Sequence, residues 1–178
     1  MDNSQWLSQF NEQKFDEYLL NPFTIVRDEW LLISSGDDKS CNSMTARWGG
    51  FDYFLRKPCT SIYVGQTRYT KEFLDKYKTY SVCVFEEKYK NKLQFMGEHS
   101  GKDMNKYEKT GLTPIYINDT IAIKEAKIIF LCKKLCFADI PYNNIFQEDV
   151  RDTIFNKNDP LDFVTMYMGE ITKILIKK

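Results

Sequence analysis

Asn42-Ser43-Met44-Thr45-Ala46-Arg47-Trp48-Gly49-Gly50 sets small, hydroxyl-bearing and amide-bearing residues where a merely structural strand would carry branched apolar ones. On an extended backbone alternate side chains face opposite ways, so Asn42, Met44, Ala46 and Trp48 share one side and Ser43, Thr45 and Arg47 the other. The small side chains of Ser43, Thr45 and Ala46 leave room for a flat ligand close to backbone N–H and C=O groups. Read alone, the same stretch is equally an edge strand ending in a Gly49-Gly50 turn.

Outward from this stretch the chain is β-rich. Aromatic residues make up 15% of it, and runs of Ile, Val, Tyr and Phe alternate with Gly, Pro, Asn and Asp. Strands are expected at residues 24–27, 30–34, 41–48, 60–64, 80–85, 122–138 with a break, and 164–176. Helices are expected at 71–77, 88–95 and 103–109, with another near the N-terminus whose apolar face would be Trp6, Phe10, Phe15 and Leu19. At 178 residues, with no repeat, low-complexity tract or linker, the chain is expected to form one domain over 1–178.

Composition removes several functions. Lysine plus arginine equals aspartate plus glutamate at 25 each and the pI is about 6.6, so no overall field draws the protein to nucleic acid or anionic lipid. Met1-Asp2-Asn3-Ser4-Gln5 has neither the basic start nor the apolar core of a signal peptide. The longest apolar run, residues 128–132, falls far short of the roughly 18 needed for a membrane span. The five cysteines, Cys41, Cys59, Cys83, Cys132 and Cys136, are odd in number and contain no Cys-x-x-Cys, against a disulfide framework or a zinc ribbon. They are expected to be buried, unreactive thiols in a soluble, cytoplasmic protein, with Cys41 singled out because it adjoins the ligand strand. Cys132 and Cys136 are expected on one face of their strand.

A single histidine, His99, excludes a multi-histidine metal site, and any Ser-His-Asp or Cys-His device would have to run through it. There is no Gly-x-Gly-x-x-Gly after a strand and no Gly-x-x-x-x-Gly-Lys-Ser/Thr, so neither a dinucleotide fold nor an NTPase loop is supported. Two helix starts outline anion sites. In Gln66-Thr67-Arg68-Tyr69-Thr70, Thr70 is expected as an N-cap beside Arg68. In Ser100-Gly101-Lys102-Asp103, a hydroxyl, a glycine and a lysine precede a helix, with Lys106 a turn further on and Asp103 equally a first-turn acid. Each reads equally as an ordinary cap with solvated charges, and His99 equally as a surface loop residue.

The ordered set Trp30-Leu31-Leu32-Ile33-Ser34-Ser35-Gly36, the stretch 42–50, Lys57-Pro58, Tyr63-Val64, Arg68-Tyr69-Thr70, His99-Ser100-Gly101-Lys102-Asp103, Lys109-Thr110-Gly111-Leu112-Thr113-Pro114 and Tyr167-Met168-Gly169-Glu170-Ile171 resembles the flavin reductase-like, FMN-binding split-barrel family, in particular its flavoredoxin-like branch. The resemblance runs from about Asn21 to the end. It implies a mainly β (α+β) split Greek-key barrel flanked by short helices, and a homodimer with non-covalent FMN near the subunit interface. The final strand, residues 164–176, with Tyr167 and Met168, is expected to form part of the contact. It also implies FMN contacts from Asn42, Ser43, Met44, Thr45, Ala46, Trp48, Arg68, Thr70, Ser100, Gly101, Lys102 and Asp103, with Arg68 on the phosphate side. NAD(P)H is the expected electron donor of an oxidoreductase; a flavoredoxin-like electron carrier and a split-barrel binding protein without reductase activity are the alternatives. Arg47 departs from the small residue of many relatives and is expected to point away from the Ala46 face, toward the phosphate or the subunit contact. Flavin itself accepts hydride, so no conspicuous catalytic constellation is required.

Overall fold

In the structure, a computed structural model, residues 4–155 and 162–178 are described; the Met1-Asp2-Asn3 start lies outside them. Among the described residues ten strands are formed: β1 (Phe10–Gln13), β2 (Leu31–Gly36), β3 (Cys41–Ala46), β4 (Gly49–Phe54), β5 (Lys57–Gly65), β6 (Thr79–Val84), β7 (Pro114–Ile117), β8 (Thr120–Ile123), β9 (Ile128–Pro141) and β10 (Phe163–Lys177). The helices are α1 (Ser4–Leu7), α2 (Pro22–Thr24), α3 (Tyr69–Lys76), α4 (Lys90–Glu98), α5 (Lys106–Thr110) and α6 (Glu148–Ile154).

Eight strands make one antiparallel sheet in the order β3-β2-β6-β9-β10-β5-β4, with β1 added to β10, and β7–β8 form a separate hairpin. The connection from β5 to β6, which carries α3, strides over the β9–β10 pair, the non-sequential step of a Greek-key order. The sheet is left open between β3 and β4. These two strands follow each other in the chain, yet among the described residues no ladder joins them. The fold is therefore the mainly β, split barrel with short helices that the sequence predicts.

The central strands are buried on both faces, which is why they read as continuous apolar runs. Leu31 and Ile33 of β2, Val82 and Val84 of β6, and Phe130 and Cys132 of β9 pack into one cluster. Leu32, Cys83, Ile129 and Leu131 point the other way, into a cluster shared with Leu93 and Met96 of α4 and with Ile115 and Ile123 of the β7–β8 hairpin. Helix α4 and the hairpin thus cover the outer face of the barrel, while Leu74 of α3 packs into the first cluster.

Several expectations are corrected. Residues 24–27 are helical, not a strand, because Asn21 caps the turn with its Oδ1 accepting from Phe23 N (3.1 Å) and Thr24 N (3.3 Å), and Pro22 suits the first helical position. The turn continues as a π-helix over Ile25–Glu29 and delivers Trp30 at φ +66. The N-terminal helix ends at Leu7; Phe10 instead begins a strand, pairing with the free edge of β10 at Lys177. Leu19 is 95% exposed. Gly49-Gly50 is the start of β4 rather than a turn, and a Cβ on Gly49 (φ +151) would stand 2.8 Å from Ser61 O. Cys136 is exposed although Cys132 is buried. The β9–β10 register shifts between Met168 and Gly169, so Leu135 has no partner and the alternation of faces reverses beyond it.

Candidate functional site

The seam between β3 and β4 opens a groove of about 1280 Å³, lined by Met44, Thr45 and Ala46 on one lip and by Gly49, Gly50, Phe51 and Asp52 on the other. Arg47 and Trp48 form its end, and Phe23, Val26 and Trp30 approach from the turn before β2. The alternation expected of β3 holds as far as Ala46. Met44 and Ala46 join the inner cluster, while Ser43 and Thr45 face α4 and α5. The smallness of Ser43 and Thr45 is used for helix packing: Thr45 Oγ1 donates to Leu93 O, and a Cβ on Gly97 would stand 3.2 Å from Thr45 Cβ. Ser43 does not line the groove; its hydroxyl is 2.7 Å from Ser34 Oγ and 2.8 Å from Tyr107 Oη. The strand ends before Arg47, so that side chain does not point away as expected. It lines the groove, with its guanidinium 5.2 Å from the centroid of the Trp30 ring.

Beside the groove lies a smaller cavity of about 130 Å³, lined by Asn42, Thr67, Arg68, Thr70, Ser100, Gly101 and Lys106, among others. Arg68 lines both enclosures and is their junction. Thr70 is not the N-cap. Arg68 holds that position, and Thr70, the buried second residue of the helix, accepts a 2.8 Å hydrogen bond from Asn42 Nδ2. This bond fixes the amide at the cavity wall. Gly101 is required there, since a Cβ would stand 2.2 Å from Asn42 Oδ1 and 3.2 Å from Tyr69 Cδ1. The second expected helix start is a turn instead; α5 begins later, capped by Asn105, whose Oδ1 accepts from Tyr107 N and Glu108 N. Lys102 and Asp103 consequently line neither enclosure: Lys102 pairs with Glu72 at 2.5 Å and Asp103 is exposed.

The capped start of α5 buries Lys106, which is 4% exposed. Its ammonium donates to Ser43 O (2.7 Å) and Met96 O (2.9 Å). Among the described residues no carboxylate pairs with it or with Arg68, whose Nη1 donates to Gly97 O at 3.0 Å. Glu98, on the rim, accepts from Gln94 Nε2. Burial, followed by repulsion from Arg68, pulls the Lys106 pKa down to about 8. Two cations thus converge on a small space with no carboxylate paired to either, although Glu98 also lines it. Lys106 was visible in sequence only as a charge beyond the glycine turn; the signal that brings it inward is the Asn105 cap.

His99 also lines the small cavity, stacked on Phe95 with centroids 4.0 Å apart. Its Nδ1 is 3.2 Å from Phe95 O. Burial raises the Cys41 thiol above its usual range, so it is not a ready thiolate. Tyr167 is buried, its hydroxyl donating to Asp75 Oδ1, and Met168 is half-buried. Among the described residues no helix is long and apolar enough to cross a membrane and no group of three or more His, Cys, Asp or Glu could hold a metal ion.

No protein-family model and no curated protein matches the sequence. Solved structures do match by fold. The FMN-binding domain of a flavin reductase-like enzyme from Shewanella baltica superposes with a TM-score of 0.67 at 15% identity, over 94% of this chain and 77% of that one. The flavoredoxin of Desulfovibrio vulgaris (Miyazaki F) gives 0.66 at 17% identity, over 94% and 78%. A flavoredoxin from Methanosarcina acetivorans gives 0.65 at 16%, over 93% and 75%. With its split antiparallel barrel and short flanking helices, the chain has the fold of the flavin reductase-like, FMN-binding proteins and flavoredoxins.

Proposed function

We propose that the protein is an FMN-binding oxidoreductase that takes electrons from NAD(P)H, with the flavin phosphate in the small cavity and its ring along the groove. The observation that carries this reading is the convergence of Arg68 and Lys106, unpaired with any described carboxylate, on about 130 Å³ of space. That is room for a phosphate, a group of a few water volumes at roughly 30 Å³ each. A dianion there relieves the desolvation and repulsion of the two cations. Asn42, held by Thr70, and the Ser100-Gly101 turn complete the wall. In the groove, Met44 and Ala46 supply an apolar floor, the lips offer backbone groups that no strand covers, and Trp48 closes the end. When bound, FMN supplies the hydride and electron chemistry.

The chain's own part is to bind, orient and shield. Arg68, at the junction, aligns phosphate with ring, and the aromatic end wall limits water. Half-exposed Trp48 and exposed Phe23 at the mouth support a homodimer in which the partner covers the groove. The cysteines, all free, support a reducing cytoplasm, and the common sheet supports a single domain over residues 1–178.

Fluorescence titration of FMN and riboflavin tests the reading. A charge-assisted hydrogen bond is worth about 1.5–3 kcal/mol, so Arg68→Ala is expected to weaken FMN binding about tenfold to somewhat over a hundredfold. Riboflavin, which lacks the phosphate, loses far less. Equal losses would move Arg68 to the ring, and no loss would make it a surface residue. Anaerobic bleaching of the bound flavin by NADH or NADPH separates a reductase from a flavoredoxin-like carrier.

A further inference from the structure

The groove exceeds the usual small-molecule range of roughly 300–1,000 Å³, at about 1280 Å³. Its arginines are also unequally committed. Arg27 is forked onto Asp28 through bonds of 2.7 and 2.8 Å, and Arg68 turns to Gly97 O. Among the described residues Arg47 has no hydrogen bond or ion pair from its guanidinium, which lies over the Trp30 indole. A cation–π contact of this kind draws the guanidinium to the ring without using its N–H groups, which stay available to take an oxyanion with two parallel bonds.

Trp30 is placed there against its own backbone preference. Its φ of +66 and ψ of 157 are costly for a residue with a Cβ. The π-helix Ile25–Glu29 that delivers it is a rare element that recurs at functional sites. The Lys90 ammonium sits 4.1 Å from the same ring centroid, adding to the positive potential at this rim.

We infer that Arg47, backed by Trp30, is a specificity-determining residue that receives the oxyanion, carboxylate or phosphate, of a planar second ligand entering the groove beside the flavin. The placement of that ligand rests on the FMN reading; the anion preference does not.

Benzoate, phenyl phosphate and the neutral isostere benzamide are titrated into the purified protein saturated with FMN, followed by tryptophan emission and by absorbance of bound flavin. At least one anion is expected to bind tenfold or more tightly than benzamide, the better of the two naming the oxyanion. Arg47→Met should erase this preference, and Arg47→Lys should restore part of it. FMN affinity in Arg47→Met should stay within about twofold of wild type. The inference is overturned by equal binding of anions and benzamide to wild type, by a preference that survives Arg47→Met, or by a loss of FMN affinity in that variant, which would assign Arg47 to the flavin's own phosphate. If FMN itself fails to bind, tryptophan emission still decides the anion preference, and only the flavin reading falls.

Discussion

Asn42 and Ala46, four residues apart on β3, belong to two different kinds of enclosure. Around Asn42 each polar group is tied to another: its amide to Thr70, Lys106 to two carbonyls, Arg68 to Gly97. Around Ala46 the walls are Met44, Phe51 and Trp48, with unpaired strand edges and an arginine resting on an indole. The small cavity is therefore specified by directional bonds and charge, and a change of one atom there is costly. The groove is specified by surface, which yields and adapts.

The sharpest way to break this contrast is Gly101→Ala. A Cβ 2.2 Å from Asn42 Oδ1 forces the amide off Thr70 and into the anion space. FMN affinity is expected to fall about a hundredfold or more, the loss of two charge-assisted bonds, while riboflavin binding changes little. Comparable losses for both flavins would show that the two enclosures act as one.

A smaller effect follows from Lys106. Its pKa of about 8 lies below the ordinary 10.5, so the unfolded chain holds the proton more tightly, and the ligand-free protein gains stability as pH rises from 8 towards 10.5. A bound phosphate raises that pKa again, so binding takes up a proton above pH 8. FMN affinity is expected to fall roughly five- to tenfold between pH 7.5 and 9, a range in which the phosphate, with its second pKa near 6, is already a dianion. Calorimetric titration of Lys106→Met should show this slope gone, and riboflavin should not show it in wild type.

The smallest effect is expected at Cys41. Its thiol is held in the protonated form by burial and stands in contact with Tyr107 rather than with either enclosure. Cys41→Ser should leave the anaerobic rate of flavin reduction within about twofold; a tenfold loss with FMN still bound would bring the thiol into the chemistry.

The strands were legible because their apolar runs are buried on both faces, as at Leu31-Leu32-Ile33 and 128–132. What was misread was decided by tertiary partners. Phe10 fits a helical stripe as well as a strand, and the free edge of β10 chooses the strand. Thr24-Ile25-Val26 has strand propensity, and the Asn21-Pro22 start overrides it. Of the residues the sequence singles out, Arg68, Thr70, Ser100 and Gly101 line one cavity, joined by Asn42 from the ligand strand, and Met44, Thr45, Ala46 and Trp48 line the groove. It misplaced Lys102, which an exposed Glu72 draws outward, and Arg47, because alternation stops where the strand does. Lys106 was hidden, since its one local signal, the Asn105 cap, sets where the helix starts and not what its first residue packs against.

The open seam between β3 and β4 makes the barrel a hoop with a gap. A closed hoop is stiff all round, whereas this one has no ladder rung across the gap that Arg47 and Trp48 span. Whatever fills the groove touches both lips and works as a clasp, so ligand grip and mechanical stiffness are here one property.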